Sequence, residues 1–341
     1  MQTFLKYFLN STIFTCIALI ACYYLGGINA VFVGTTLSIL EISLSFDNAV
    51  VNASVLSTMD EVWRRRFLTW GMLVAVFGAR LLIPILVISI TAFISPLAVI
   101  HAAFFDTAEY AKLIEHIHIY VSGFGSAFLG MVFLKFFFDE NKSKHWIPVI
   151  EEYMQKLGVI ESVQTLLMLI VTVGFSTILT GVDQASYLIS SICGIIIYLL
   201  VDGFTNFIEP EEGQGQQSIK TLAYSGMISF IYLEVLDASF SLDGVIGAFA
   251  ITQDIVIILL GLTIGSFFVR SLTMFMVDKK ALQQLAFLEH GAFWSVGILA
   301  AFMLFESKFE ISEILIVSVT VSVLILSVVH SYMLKKREKA I

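Results

Sequence analysis

Five carboxylates lie in stretches of sequence too apolar to tolerate them idly. Glu41, Asp47, Glu234, Asp237 and Asp243 each fall inside a run long enough to cross a bilayer. A charge at mid-membrane costs at least about 2.5 to 3.5 kcal/mol on insertion scales, so it persists where something uses it. Arg80 and Arg270 are the two cations in comparable runs. Five acids against two arginines leave a surplus of negative charge, which a cation or bound protons must neutralise. Glu41, Ser45, Asn48 and Asn52 advance in steps of four, three and four residues, which keeps them on one helix face. Asp47 lies six residues beyond Glu41, about 120° round an ideal helix, and Asp243 stands in the same relation to Asp237. Either the helices break near Ser45 and near 241–244, or each acid pair straddles a groove. A break would free backbone carbonyls as further ligands. Carboxylate, amide and carbonyl oxygens without nearby cysteine suit hard divalent cations such as Mg²⁺, Ca²⁺ or Mn²⁺, rather than Cu⁺ or a thiolate zinc site. The alternative is that the acids pair with Arg80 and Arg270 and only lock helices together. The arginines themselves read as counter-ions or gate elements rather than ligands.

The elements that must hold these residues are membrane helices. Of 341 residues 58% are apolar and 13% charged, against about 45–50% and about 25% in soluble domains. A water-soluble enzyme or binding domain is thereby excluded. Apolar runs fall near 8–26, 30–57, 67–95, 117–138, 161–181, 184–202, 221–251, 254–277, 284–305 and 311–334. The expected fold is an all-α polytopic membrane protein of about ten transmembrane helices. Ten crossings put both termini on one side, and fifteen of the 19 Lys and Arg residues then share that side. Only Lys112 and Lys308 lie opposite, with Arg80 and Arg270 inside helices. This asymmetry predicts cytoplasmic termini in a multi-pass plasma-membrane protein.

The chain also echoes itself. The segment from Glu41 to Asp47 is matched by that from Asp237 to Asp243, at an offset of 196 for both acids. Gly71 and Arg80 match Gly261 and Arg270 at an offset of 190, and Glu115 and His116 match Glu289 and His290 at 174. Residues 1–182 and 183–341 read as two five-helix repeats within one integrated membrane domain. An odd number of helices per repeat inverts the second, the layout of many secondary transporters.

Other features carry less. Cys16, Cys22 and Cys193 sit in apolar stretches and imply no disulfide framework. The segment from Leu19 to Cys22 has the form of a lipoprotein cleavage site, but cutting there would delete a helix that the repeat requires, so an ordinary first span is expected. Glu115, His116 and His118 read as a solvated helix end, and Glu289 with His290 as the better proton-coupling pair. Asp183 and Asp202 read as interfacial, and the acidic Gln/Gly-rich segment 203–217 as a hydrophilic connector.

The stretch Glu41-Ile-Ser-Leu-Ser-Phe-Asp47-Asn48-Ala49-Val50 resembles the first signature of the TerC family of integral membrane proteins, and Glu234-Val-Leu-Asp237-Ala-Ser239-Phe-Ser241-Leu-Asp243 resembles its second. Gly244 stands where a serine is usual in that family, and the helix count exceeds that of typical members. The resemblance implies export of Mn²⁺ and of Ca²⁺, with the motif acids as ion ligands.

These readings converge on a secondary exporter of divalent cations. Glu41, Asp47, Asn48, Glu234, Asp237 and Asp243 would form a central site between the inverted repeats, helped by Ser45, Ser239 and Ser241. No Walker A sequence is present, so proton antiport is the expected coupling. The expected partners are the cation and the bilayer, with no nucleic acid, no tightly bound cofactor and no enzyme activity; a homo-oligomer is compatible. The rivals are an intramembrane aspartyl protease with Asp47 and Asp243 as its dyad, and a membrane scaffold for metal or tellurite stress in which the charges are structural. The protease reading lacks its Gly-x-Gly-Asp signature at Asp243 and leaves Glu41, Glu234 and Asp237 unexplained.

Overall fold

Two adjacent glycines set the first feature of the architecture. The helix α1, Gln2–Leu44, is interrupted at Gly26 (φ −148°, ψ 20°) and Gly27 (φ 66°, ψ −155°). The Gly27 conformation is closed to any side chain, so the break is written into the residue type. One 43-residue helix thus becomes two arms. The computed structural model describes residues 2–160, 162–208, 219–309 and 311–338, with the side chains at 2–5, 204–208, 219–225, 242, 243, 246, 250, 313, 337 and 338 outside that description.

The chain continues through α2 (Phe46–Thr58) and α3 (Glu61–Arg66) into two π-helical stretches, Phe67–Gly71 and Val74–Leu82. There follow α4 (Ile83–Ala92), α5 (Pro96–Phe105), α6 (Thr107–Phe137), α7 (Pro148–Gly158), α8 (Val163–Ser176), α9 (Val182–Ile208) and α10 (Ile219–Ile251). The last elements are α11 (Ile255–Asp278), α12 (Ala281–Gln284), α13 (Leu288–Glu306) and α14 (Glu313–Glu338). The protein is 87% helix and has no strand among the described residues. Among the described residues seven helices are long and apolar enough to cross a membrane, or eight if α7 and α8, bent sharply against each other, count as one span.

Several boundaries differ from the sequence expectation. α5 was hidden in an expected connection; Ser95 caps it through its hydroxyl and Pro96 starts it without needing an N–H partner. α6 begins ten residues before 117 because Glu109 and Lys112 are tolerated on its exposed first turns. The first motif is divided where expected, with α1 ending at Leu44 and α2 starting at Phe46, whereas the second is not. The Ser45 N–H still reaches the Glu41 carbonyl and the Ala49 N–H the Ser45 carbonyl, while α10 runs unbroken through 241–244. Further irregular backbone lies between 67 and 82.

Two compact units comprise Met1–Ala49, Glu61–His118 and Glu234–Phe275 in the first, and Val50–Asp60, Ile119–Leu233 and Met276–Ile341 in the second. In the first, α1 and α11 cross closely because two glycines of α11 stand one turn apart. A Cβ at Gly261 would lie 2.7 Å from that of Leu37, and one at Gly265 would press into the Glu41 side chain. Such small-xxx-small crossings let backbones approach and gain dispersion contact where lipid supplies no hydrophobic drive. Leu37, Val245, Ala248, Ile258 and Leu262 fill the space beside it, and Phe14 stacks on Phe267 at 4.4 Å.

The second unit repeats the device. Gly291 of α13 faces Ser327 of α14, and the Ser295 hydroxyl reaches the Thr320 carbonyl at 3.1 Å. Gly194 of α9 abuts the Phe124 carbonyl of α6, and Phe136 stacks on Phe293 at 3.7 Å. Leu166, Ile170 and Val173 of α8 remain exposed, as lipid-facing residues are.

Candidate ion-binding site

In the first unit Glu41, Asp47, Glu234 and Asp237 are buried, and arginine reaches three of them. Glu41, at 3% exposure, is bonded to the Arg80 guanidinium and accepts the Ser45 hydroxyl at 3.1 Å. Asp237 accepts Arg270 Nη2 at 3.0 Å on Oδ2 and the Asn48 side-chain amide at 2.8 Å on Oδ1. Glu234 Oε1 stands 3.7 Å from Arg270, an ion pair without a hydrogen bond. The first acid of each motif is therefore paired with an arginine farther along its own half of the chain.

Both arginines are also held by backbone. Arg270 donates to the Phe67 carbonyl and, at 2.9 Å, to the Gly71 carbonyl, with its guanidinium 3.9 Å above the Phe67 ring. Arg80 donates to the Ala75 carbonyl at 2.8 Å. Residues 67, 71 and 75 belong to the π-helical stretches, where the wider turn loosens the regular i+4 ladder and turns carbonyls toward other donors. Gly71 is required there: a Cβ would collide with the Glu234 carboxylate and come 2.7 Å from Arg270. Helical spacing alone did not reveal this carbonyl set. The Gly-x-x-x-Gly spacing of 261–265 was the available signal for the helix crossing beside Glu41.

The remaining oxygens are incompletely used. Asp47, 1% exposed in the first turn of α2, accepts the Asn48 N–H on Oδ1, while its Oδ2 has no hydrogen-bond partner among the described residues. Asn48 Oδ1, Ser241 Oγ and both Glu234 oxygens share that condition. Ser239 turns its hydroxyl to the Val235 carbonyl of its own helix at 2.9 Å. The Asp243 side chain lies outside the described residues. Gly244 faces Glu41, whose Oε2 would sit 3.2 Å from an added Cβ, so the serine usual in the resembled family would crowd that carboxylate. Among the described residues no three His, Cys, Asp or Glu side chains converge on a metal-sized gap.

Sequence spacing missed the second unit's central acid. Glu151 of α7 is 1% exposed and accepts four hydrogen bonds, from Trp146 N at 2.9 Å, Ile147 N at 3.3 Å, Trp294 Nε1 at 2.9 Å and His290 Nδ1 at 2.8 Å. His290 is thus committed to Glu151, and Glu289 accepts the Ser54 hydroxyl. Glu115, His116 and Asp183 are exposed, His118 is half-buried, and Asp202 pairs with Lys135 at 3.3 Å. Most of 203–217 lies outside the described residues.

No curated protein and no solved structure matches the chain. The sequence model of one family, described as "Protein of unknown function (DUF475)", matches residues 46–338. That span takes in Asp47, Asn48, both arginines and the whole second motif, with Glu41 just before it. With most of its length so matched, the chain belongs to the DUF475 family.

Proposed function

We propose that the protein is a secondary exporter of divalent cations, Mn²⁺ first among them and Ca²⁺ next, working by proton antiport in the plasma membrane with both termini in the cytoplasm. The observation that carries this reading is the set of buried, partly unpartnered oxygens of Asp47, Asn48, Glu234 and Ser241, beside Glu41 and Asp237. Desolvating such oxygens is costly unless a ligand completes them. Hard oxygen donors suit a divalent ion, and the TerC-like signatures point the same way. Asp243 belongs to the proposed ligand set by its place in the second motif.

Ten crossings in two inverted repeats follow if α1 counts twice across Gly26 and Gly27, and α8 and α10 each span. The matched pairs Glu41 with Arg80 and Asp237 with Arg270 support that symmetry. Alternating access would then rock one repeat against the other round the acids. The ion pairs also favour a second reading, a scaffold whose charges only lock helices.

The discriminating experiment is flux of Mn²⁺, Ca²⁺ and Mg²⁺ from sealed vesicles under an imposed pH gradient, with wild type, Asp47→Asn and Asp243→Asn. The exporter reading expects selective flux in wild type and none in either folded variant. No flux of any ion from intact wild-type protein would move the weight to the scaffold.

A further inference from the structure

We infer that Arg270, seconded by Arg80, is a built-in counter-cation that holds the carboxylates of the empty carrier and yields them to the divalent ion. The inference rests on the transport reading above and says how the same site passes through its unloaded state.

Its ground is the way each guanidinium divides its bonds. Arg270 gives one set to Asp237 and another to the carbonyls of Phe67 and Gly71; Arg80 divides itself between Glu41 and the Ala75 carbonyl. A guanidinium has five donors in a fixed plane, so it can surrender one acceptor and stay bonded through the others. The π-helical carbonyls are thus a resting place at which the arginine remains solvated by protein when its carboxylate is taken. The Phe67 ring beneath Arg270 adds a cation–π contact that does not depend on the acid.

The acid side is equally prepared. Asp237 is bridged to Asn48, whose Oδ1 is open, and Asp47 next to it in the chain keeps Oδ2 open. A cation entering there finds open oxygens first and gains Asp237 by displacing the guanidinium. A merely structural ion pair needs neither the second set of acceptors nor the open oxygens.

The consequence is kinetic. Without Arg270 the carboxylates that the antiported protons leave ionised stand bare in a low-dielectric interior, and the return of the metal-free carrier stalls. Exchange of one bound ion for another avoids the empty return and is spared that step.

The test uses full-length protein in vesicles of phosphatidylethanolamine and phosphatidylglycerol, with Mn²⁺ as probe. Two rates are compared: net efflux into Mn²⁺-free medium, and isotope exchange at equal Mn²⁺ on both sides. Arg270→Gln should lower the ratio of net efflux to exchange by about tenfold or more, and Arg270→Lys should restore it to within about threefold. Mn²⁺ binding to the solubilised protein should tighten in Arg270→Gln, because its competitor is gone. Arg80→Gln carries the same expectation and serves if Arg270→Gln does not fold. Both rates falling together with weakened binding, or an unchanged ratio, overturns the inference while leaving transport standing. A wild type inert in both modes toward Mn²⁺, Ca²⁺ and Mg²⁺ overturns the transport reading itself, and this inference with it.

Discussion

Glu151 and Asp47 are equally buried, at 1% exposure each, yet they are treated in opposite ways. Glu151 of the second unit has both oxygens bonded, to two backbone N–H groups, a tryptophan and a histidine. Asp47 of the first unit has one oxygen bonded to a neighbouring N–H and the other without a hydrogen-bond partner among the described residues. A fully satisfied buried carboxylate is a fixture, since each donor is lost if it moves. A half-satisfied one costs stability, and that cost is tolerable where a ligand completes it. The first acid ties α7 to α13, whereas the second keeps an oxygen that the proposed ion would complete.

The sharpest way to break this comparison is Glu151→Ala. It strands Trp146 N, Ile147 N, Trp294 Nε1 and His290 in a buried site, and should cost about 3–5 kcal/mol, read as a large drop in thermal midpoint by tryptophan fluorescence. An unchanged midpoint would mean that the four bonds are not what fixes α7. Next in size is Gly71→Ala, whose Cβ overlaps Glu234 and Arg270. It should cost about 1–3 kcal/mol by overpacking and impair flux. Gly174→Ala is its control: a Cβ there meets nothing within 4 Å, so the change should be neutral or stabilise by up to about 1 kcal/mol.

A further effect, read as a pH dependence, concerns Lys142, outside the spanning helices. Burial pushes its ammonium down to about 7 from 10.5, against the pull of Glu151, Glu289 and Asp139. Its Nζ donates to the Phe136 carbonyl at 2.6 Å. Between those two values the unfolded chain binds a proton that the folded protein has released, so stability rises with pH through that window. The burial penalty is fully present below about 7 and is relieved above it. Thermal midpoints from pH 7 to 10 should therefore climb more steeply in wild type than in Lys142→Met; equal slopes would contradict the burial.

The same contrast shows what could be read from sequence. Apolar runs located most of the helices, because bilayer thickness imposes a length on them. Buried charge marked Glu41, Asp47, Glu234 and Asp237, because an acid stands out in such runs. The helix break at Gly26 and Gly27 fell at the end of the first expected span, before the second begins at 30. Glu151 was invisible: it sits among Lys142, Lys144, Glu152 and Lys156, which read as solvated connector, and its partners His290 and Trp294 come from a distant helix. The π-helical carbonyls that receive Arg270 were invisible for another reason. No residue type announces a widened turn, and the acceptors are backbone atoms that every residue carries. The expected break near Ser45 falls between α1 and α2, whereas the one expected near 241–244 is absent because α10 continues through it.

The most direct test of the comparison measures Mn²⁺ flux and thermal midpoint in the same preparations of Asp47→Asn and Glu151→Gln. An acid that waits for a cation should lose flux on neutralisation while the midpoint moves little, within about 1 kcal/mol of stability. A fixture should do the reverse, with a lowered midpoint in Glu151→Gln and an unchanged rate per folded molecule. Asp47→Asn that unfolds the protein, or that transports Mn²⁺ as wild type does, would contradict the assignment of the first unit's acids to ion binding.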